Sequence, residues 1–512
     1  MYSNLNAKNG IRNILSNFIS QFFTILLGLL IPRLVLVNLG SEANGLLTSV
    51  NQLLAYLALL EAGVGTASIQ ALYKPIANND KQSISQIMAA THHYYKRTGF
   101  LYFCSVVVLS LVFPLTFQSS LPPHTIMLVL FLSGLPGVVN YYFQGKFRIL
   151  LQAEGKAYIL TSLYTVVHIL TNLTKIFLLL NGFDVVALQA MYFLYSILQM
   201  AFIVVYIKRH YKWLDLSVKP DYDAISQSKN AMVHQISGFI FSNTDALLLT
   251  FFCGLSTVSV YSMYAMLFGI VATMITNFSG ANFIIGQTYH IDFERYLKLH
   301  DLYELYNMTL TFSLYCITNI FILPFMRLYT AGIADTTYID TFLPYLFITT
   351  YLLSNGRSAA CQAVNHAGHF KQTQWRAILE SAINIFVSVL CVQKFGIYGV
   401  LFGTIAAMLY RTNDFILYAN KKILHRSPWI TYRRWLLNLA LFILVTIISK
   451  QIFAHVALDS YFSIIVCAAL SCIVILPIFF ITVSLFDLNT ARYASSLLLP
   501  YAKMLRARLK LK

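Results

Sequence analysis

Apolar runs of about 20 residues, long enough for an α-helix to cross a bilayer, recur along the whole chain. Only short polar segments separate these runs, and none is long enough to fold as a separate soluble domain. The pattern predicts an all-α polytopic membrane protein. Its fourteen transmembrane helices are predicted at 11–37, 46–73, 98–117, 124–145, 157–180, 185–207, 230–254, 258–282, 306–330, 339–361, 377–395, 397–419, 434–454 and 461–485.

The polar segments give the predicted orientation of the helices. Most of the 36 lysines and arginines lie in alternate segments, on the side that also holds both termini. Basic residues are enriched in cytoplasmic loops, so both termini are predicted to be cytoplasmic and the opposite loops to be very short. The net charge of +17 therefore indicates membrane topology, and no nucleic-acid partner is predicted.

Composition agrees with this class. The chain is 58% apolar and 11% charged, with a mean hydropathy of +0.67, whereas soluble domains are about 25% charged. The seven cysteines form no CxxC pair and have no histidines at metal-ligand spacing, so no metal or cofactor is predicted.

Three landmarks indicate an internal repeat. Gly40 and Gly254 each end a helix, Gly182 and Gly396 each lie between two helices, and both pairs are 214 residues apart. Pro114 and Pro324 add a pair at a spacing of 210. Both halves begin on the same side, so two parallel six-helix repeats plus a C-terminal helix pair are predicted. The domains are a six-helix bundle at 1–208, a linker at 209–229, a second bundle at 230–425, the helix pair at 426–486 and a basic cytoplasmic tail at 487–512.

Four cations lie inside predicted helices or at their ends, where charge is unfavourable unless water, a partner or a substrate offsets it. They are Arg33, Lys175, Arg357 and Arg411. Each has a structural alternative as well. Arg33, Lys175 and Arg357 could extend to the membrane surface, and Arg411 has Asp414 three residues further on as an internal ion-pair partner.

Two acids lie near the middle of predicted helices, namely Glu61 in LALLEAGVG and Asp245 in FSNTDAL. A buried carboxylate can carry a proton, or a nearby cation can hold it charged. Glu61, Asp245 and Asp414 are therefore candidates for ion coupling or for ion pairs within a cavity. The excess of cations favours an anionic substrate, and the planar guanidinium of arginine is suited to phosphate oxygens.

Several stretches occur in the order seen in polysaccharide flippases. They are NLGSEANG at 38–45, LEAG at 60–63, LYKP at 72–75, Asp245, AGHFKQT at 367–373, and FGIYGV at 395–400 followed by Gly403 and Thr404. Over roughly residues 5–425 the chain resembles the Wzx-type polysaccharide and O-antigen flippases of the multidrug/oligosaccharidyl-lipid/polysaccharide exporter (MOP) superfamily. Family motifs match at Glu61, Gly63, Asp245 and Gly368.

The resemblance implies a multi-pass protein of the bacterial cytoplasmic membrane. It would move an undecaprenyl-pyrophosphate-linked oligosaccharide, an O-antigen or capsule repeat unit, from the inner to the outer leaflet by alternating access. Coupling to a gradient of H⁺ or Na⁺ and a polysaccharide polymerase as partner are further implications. Membrane lipids are expected around the helices and beneath the basic tail.

Two other functions are considered. A cation-coupled multidrug exporter of the same superfamily would favour a cavity of carboxylates and aromatic rings, which the excess of cations opposes. A membrane glycosyltransferase or polymerase would usually have acidic or metal-ligating residues in a large outer loop, and the outer loops here are short. A nucleotide-driven pump fits less well still, because the sequence contains no GxxxxGK[ST] loop.

Overall fold

Helices make up nearly all of the chain in a computed structural model that describes residues 2–61, 64–225, 238–241, 243–277 and 282–497. In the first part of the sequence they are α1 (Tyr2–Leu57), α2 (Val64–Ala77), α3 (Lys81–Val112), α4 (Pro123–Val139), α5 (Gly145–Ala153), α6 (Ala157–Leu180), α7 (Val185–His210), α8 (Asp245–Cys253) and α9 (Leu255–Asn277). The later helices are α10 (Asn282–Thr288), α11 (Phe293–Tyr329), α12 (Leu343–Gly356), α13 (Ser358–His366), α14 (Phe370–Phe395), α15 (Ile397–Tyr418), α16 (Trp429–Phe453) and α17 (Tyr461–Phe486).

The predicted all-helical membrane fold is confirmed. Each of the fourteen predicted spans contains helix within its described residues, and those residues include no strand. Ten described helices are long and apolar enough to cross a membrane. Gly63, residues 226–229 of the predicted linker, residues 230–237 of the seventh span and residues 498–512 of the basic tail lie outside the described part of the chain.

Two helices begin well before their predicted spans. α3 starts at Lys81 instead of 98, and α11 at Phe293 instead of 306. In each case an aspartate caps the first turn: Asp80 accepts a hydrogen bond from the Ser83 amide, and Asp292 accepts one from the Arg295 amide. Hydropathy detects only the apolar part of a helix, whereas such a cap lets the helix continue through its polar turns.

The backbone supports the predicted repeat at several points. Gly40 has φ 82° and ψ 175°, and Gly254 has φ 84° and ψ 170°, a left-handed region that glycine enters readily. The fourth helix of each predicted half is interrupted at a matching place, by a π-helical turn at Asn140–Gln144 and by the break at Arg357. Positions 143 and 357 are again 214 residues apart.

The chain forms two compact units. One comprises Met1–Ser262 with Gly332–Thr336, and the other comprises Met263–Ala331 with Thr337–Lys512. In the first, a core around Met88, Tyr95 and Leu150 packs α2, α3 and α5 together. In the second, a core around Tyr296, Ala363 and Phe415 holds α11, α13 and α15. The domain boundaries taken from the repeat stay a prediction.

Candidate substrate cavity and charge clusters

A cavity of about 740 Å³ lies within the first compact unit. Its wall comes from α1, α3, α4, α6 and α7 together with the π-helical turn. The polar residues lining it are Asn44, Thr48, Asn51, Ser133, Asn140, His168, Thr171, Asn172, Lys175, Gln189, Ser196 and Gln199, and three tyrosines join them, Tyr102, Tyr164 and Tyr192. The volume falls in the range of sites that hold a small molecule or a short oligosaccharide.

Amide side chains dominate the polar part of this wall. Four asparagines and two glutamines line the cavity, and each amide offers both a donor and an acceptor. Sugar hydroxyls need both kinds of partner, and tyrosine rings add flat apolar surfaces. Among the described lining residues none is Asp or Glu, and Lys175 is the cation. The cavity therefore suits a neutral or anionic polyhydroxylated ligand.

Lys175 belongs to a continuous face of α6. Tyr164, His168, Thr171 and Lys175 follow one another at spacings of four, three and four residues, which places them on one side of the helix. The Lys175 ammonium lies 5.3 Å from the centroid of the Tyr192 ring on α7, a cation–π distance. The structure thus places this sequence-predicted cation in the cavity wall.

The π-helical turn supplies an unusual polar group to the cavity. Asn140 begins the turn, and its side-chain oxygen is buried with no hydrogen-bond partner among the described residues. Turns of this kind are frequent at functional sites because they displace side chains from regular helical positions. A buried acceptor that lines a cavity is available to a ligand donor.

Glu61 pairs with a cation that the sequence analysis did not propose for the site. It ends a short 3₁₀ turn, Ala58–Glu61, that interrupts the second predicted span. Its carboxylate lies 3.4 Å from Nη2 of Arg148 and accepts a hydrogen bond from the Tyr95 hydroxyl. Gly65 leaves room for this group, because a Cβ there would lie 3.1 Å from Glu61 Oε1.

In the sequence, Arg148 lies in a polar segment between two predicted spans, where a cation indicates topology only. The only sequence feature that could have pointed to Arg148 as a site residue is its position a few residues after the apolar run of α4. Burial is the largest influence and lowers the pKa of its guanidinium, but the Glu61 carboxylate together with Tyr95 and Tyr164 outweighs burial, so the net effect is a raised pKa. The Tyr164 hydroxyl, which lines the cavity, is a second partner of the guanidinium. Arg148 therefore connects Glu61 with the cavity wall.

Arg357, Arg411 and Asp414 come together in the second unit, as part of a cluster of opposite charges. Nη1 of Arg357 lies 2.7 Å from Glu380 Oε1, and Nε of Arg411 lies 3.3 Å from the other oxygen of Glu380. Arg411 also lies 2.7 Å from Asp414, the ion pair considered as its structural alternative, and Asp414 pairs with Arg376 as well. Glu380 and Asp414 offset much of the positive charge expected for anion binding, and Glu380 was missed by the sequence analysis.

Two further predicted site residues stand apart from these groups. Asp245 is buried at the start of α8 and accepts a hydrogen bond of 3.0 Å from the Tyr261 hydroxyl. Arg33 is half-buried and follows Pro32; the cavity wall includes Pro32 but not Arg33.

A second charge cluster was not predicted at all. Arg426 and Arg434 surround Glu304, which is 1% exposed, and both arginines also pair with Asp301 on the same helix. Asp487, just beyond α17, lies 2.7 Å from Arg434. These residues had been assigned to cytoplasmic ends and loops, where isolated charges carry little information about partners.

An all-helical membrane fold with a polar cavity inside one of its bundles is the organisation of a membrane transporter. The chain belongs to a family described as polysaccharide biosynthesis proteins, whose model matches residues 11–283. A search of curated protein sequences finds no match.

Solved structures share the fold. A lipid II flippase, MurJ, in an inward closed conformation aligns with a TM-score of 0.66 and 14% identity, covering 93% of this chain and 99% of that chain. An inward-facing multidrug resistance MATE family transporter of the MOP superfamily aligns with a TM-score of 0.59 and 16% identity, covering 78% and 95%. The MATE multidrug transporter DinF-BH gives a TM-score of 0.56 and 15% identity, covering 82% and 95%.

Proposed function

We propose that this protein is a flippase that moves an undecaprenyl-pyrophosphate-linked oligosaccharide, an O-antigen or capsule repeat unit, from the inner to the outer leaflet of the bacterial cytoplasmic membrane. The observation that carries the proposal is the amide-rich cavity of the first unit. Its six amide side chains and three tyrosines match the hydroxyls and apolar faces of sugars. The prenyl chain would remain in lipid beside the helices.

Family and fold support the same function. The chain belongs to a polysaccharide biosynthesis family, and its structural neighbours include a protein named as a lipid II flippase. In that setting Lys175, the cation of the cavity wall, meets the anionic part of the substrate. Both termini are taken as cytoplasmic, as the distribution of basic residues predicts, and a polysaccharide polymerase would receive the product.

Multidrug export is the competing function that the MATE neighbours raise. A cavity for cationic drugs is expected to offer carboxylates, and none occurs among the described lining residues. Lys175 in the wall would also repel a cation. The chemistry of the cavity therefore favours the glycolipid over the drug.

Coupling to an H⁺ or Na⁺ gradient is part of the proposal. Glu61 and Asp245 are the acids proposed for it, because Asp245 is buried, Glu61 is only 17% exposed, and each accepts a tyrosine hydrogen bond. A change in the charge of either would change a buried interaction and could shift the balance between inward-open and outward-open states. Glu61→Gln should alter the pH dependence of transport if Glu61 is the coupling acid.

The test measures surface polysaccharide in cells whose own copy of the gene has been deleted and which carry either the unaltered protein or a variant. Lys175→Ala should lower export about tenfold, the effect of losing one charge-assisted hydrogen bond, and Lys175→Arg should retain most of it. Lys208→Ala, at an exposed lysine on α7, is the matched control and should export normally. Equal export by Lys175→Ala and the control would remove Lys175 from the site. Resistance to cationic dyes with no export by the unaltered protein would overturn the proposed function.

A further inference from the structure

Arg148 is partly buried and has an incomplete set of hydrogen-bond partners. Its side chain is one-third exposed, at 33%, and its Nε is a buried donor with no hydrogen-bond acceptor among the described residues. The contact with Glu61 is made through Nη2 alone and is long, at 3.4 Å. A guanidinium normally satisfies a carboxylate or phosphate through two parallel hydrogen bonds. Arg148 therefore retains donor capacity that the protein leaves unused.

The position of Arg148 joins it to the cavity. Its partner Tyr164 lines the cavity, and Tyr164 lies on the face of α6 that leads to Lys175. Eleven residues of helix separate Tyr164 from Lys175, a distance of about 16 Å at 1.5 Å per residue. Lys175 thus lies near one end of this face, and Arg148, which does not itself line the cavity, contacts the other end through Tyr164.

Glu61 occupies the place that an anionic ligand would take. Its carboxylate presents an oxygen to Arg148 as a phosphate group would, and a second group, the Tyr95 hydroxyl, holds it there. The Glu61 side chain is 17% exposed, so the pair can be reached from outside. A ligand with two phosphate groups could offer Arg148 a bidentate contact that the single long bond to Glu61 does not provide.

We infer that Arg148 is the residue on which the substrate's diphosphate first docks, and that the diphosphate takes the place of Glu61 on the guanidinium. This inference rests on the proposed function for the identity of the ligand. Docking would position the glycan in the amide-lined cavity beside Arg148. It would also release the Glu61 carboxylate from its cation, so that substrate loading changes the state of an acid proposed for ion coupling.

Equilibrium binding to the purified full-length protein tests the exchange. The protein is held in phosphatidylcholine nanodiscs, which contain no anionic lipid, and the two probes are inorganic pyrophosphate and undecaprenyl pyrophosphate. Arg148→Gln should weaken the binding of both probes about tenfold or more, the loss expected for hydrogen bonds to a charged group. Arg97→Gln, at an exposed arginine of α3, is the matched control and should bind like the unaltered protein.

Glu61→Gln gives the sharper result, because it removes the competing carboxylate while keeping the shape of the side chain. Both probes should bind several-fold more tightly to this variant, and the gain should vanish in the Glu61→Gln/Arg148→Gln double variant. A purely structural ion pair predicts the opposite, unchanged or weaker binding in Glu61→Gln. This single variant keeps the inference testable even if Arg148→Gln does not fold.

The two probes distinguish the docking of a diphosphate on Arg148 from the proposed glycolipid function. Binding of undecaprenyl pyrophosphate that is indifferent to Arg148 and Glu61 would overturn the inference and leave the proposed function standing. Arg148-dependent binding of inorganic pyrophosphate, with no binding of the lipid, would support a diphosphate site and contradict the glycolipid function. Failure of both probes to bind the unaltered protein would overturn both.

Discussion

Individual charged side chains differ in whether the protein itself neutralises them. Arg357 and Arg411 face carboxylates at ion-pair distance, whereas the ammonium of Lys175 lies against an aromatic ring in a cavity. The first two both face Glu380, whose side chain is 10% exposed, so the protein itself already supplies their carboxylate partner. Lys175 is the stronger candidate for a substrate-binding residue for that reason.

Replacing Arg357 tests how much its ion pair contributes to stability. Arg357→Gln should lower the free energy of unfolding by about 1–3 kcal/mol, less than a fully orphaned buried charge, because Arg411 still faces Glu380. Thermal denaturation in detergent measures the loss. Glu380→Gln in the same background should lower the free energy of unfolding further, since Arg411 then loses one of its two carboxylate partners. No change in stability for Arg357→Gln would show that the ion pair contributes nothing.

Sequence alone identified some of these partners and missed others for a physical reason. The spacing of Arg411 and Asp414 on one helix is visible in the sequence, and their ion pair is present. Glu380 and Arg148 meet their partners only through tertiary packing, at separations of 23 and 87 residues. Glu61 was recognised as unusual, but its partner was sought among intramembrane cations and proved to be a residue assigned to a loop.

At the scale of secondary-structure elements, interruptions of the helices position the polar groups. The π-helical turn at Asn140–Gln144 directs an amide into the cavity, and the 3₁₀ turn Ala58–Glu61 brings the carboxylate to Arg148. Hydropathy predicted both segments as continuous spans, since a local change of hydrogen-bonding pattern leaves the run of apolar residues intact. The helical spans could therefore be predicted, while the breaks that build the site could not.

Polar contacts also run along the second part of α1. Ser41 donates to Asp335, Asn44 donates to Ser259, and Ser49 lies 2.6 Å from the Thr250 hydroxyl. Among these contacts, the backbones of α1 and α9 approach so closely that a Cβ on Gly45 would overlap the Leu255 carbonyl oxygen, at 1.9 Å. This close packing holds α1 against α8 and the start of α9 within the first unit.

If the proposed alternating access separates α1 from α8, a crosslink between these helices should stop transport, which gives a test. Ser49→Cys/Thr250→Cys, in a background whose native cysteines are replaced, should form a disulfide on oxidation because the two hydroxyls are in contact. Transport should stop on oxidation and recover with reductant, and each single cysteine variant should be insensitive to oxidant. Peptide mass spectrometry confirms the crosslink. Full transport by the crosslinked protein would exclude separation of α1 from α8.

At the scale of the whole molecule, the C-terminal helix pair is joined to α11 by charge as well as by apolar packing. Arg434 on α16 lies between Asp301 on α11 and Asp487 at the end of α17, at 2.7 Å from each. The resemblance to flippases covers this pair only in general character. The ion pairs show that it is an integral part of the second unit.

Asp487 gives this attachment a pH dependence. Burial is the largest influence and raises the pKa of its carboxyl, but the hydrogen bonds and charge of Arg434 together with hydrogen bonds from Thr490 outweigh burial and lower the pKa overall. A carboxyl with a lower pKa in the folded state stabilises the protein above about pH 4 and loses that effect as the pH falls through its folded pKa. Asp487→Asn should therefore lower the melting temperature at pH 7, and the difference from the unaltered protein should shrink in acid. A difference that is constant with pH would contradict the ion pair.

The central claim is that the polar cavity carries a glycan attached to an undecaprenyl diphosphate across the membrane. The most direct measurement places the purified protein in liposomes that contain such a lipid-linked oligosaccharide, and follows how much glycan becomes accessible to a glycosidase on the opposite side. The account predicts accessibility that rises with time in liposomes holding the unaltered protein and about tenfold more slowly with Lys175→Ala. Accessibility no faster than in protein-free liposomes would contradict it.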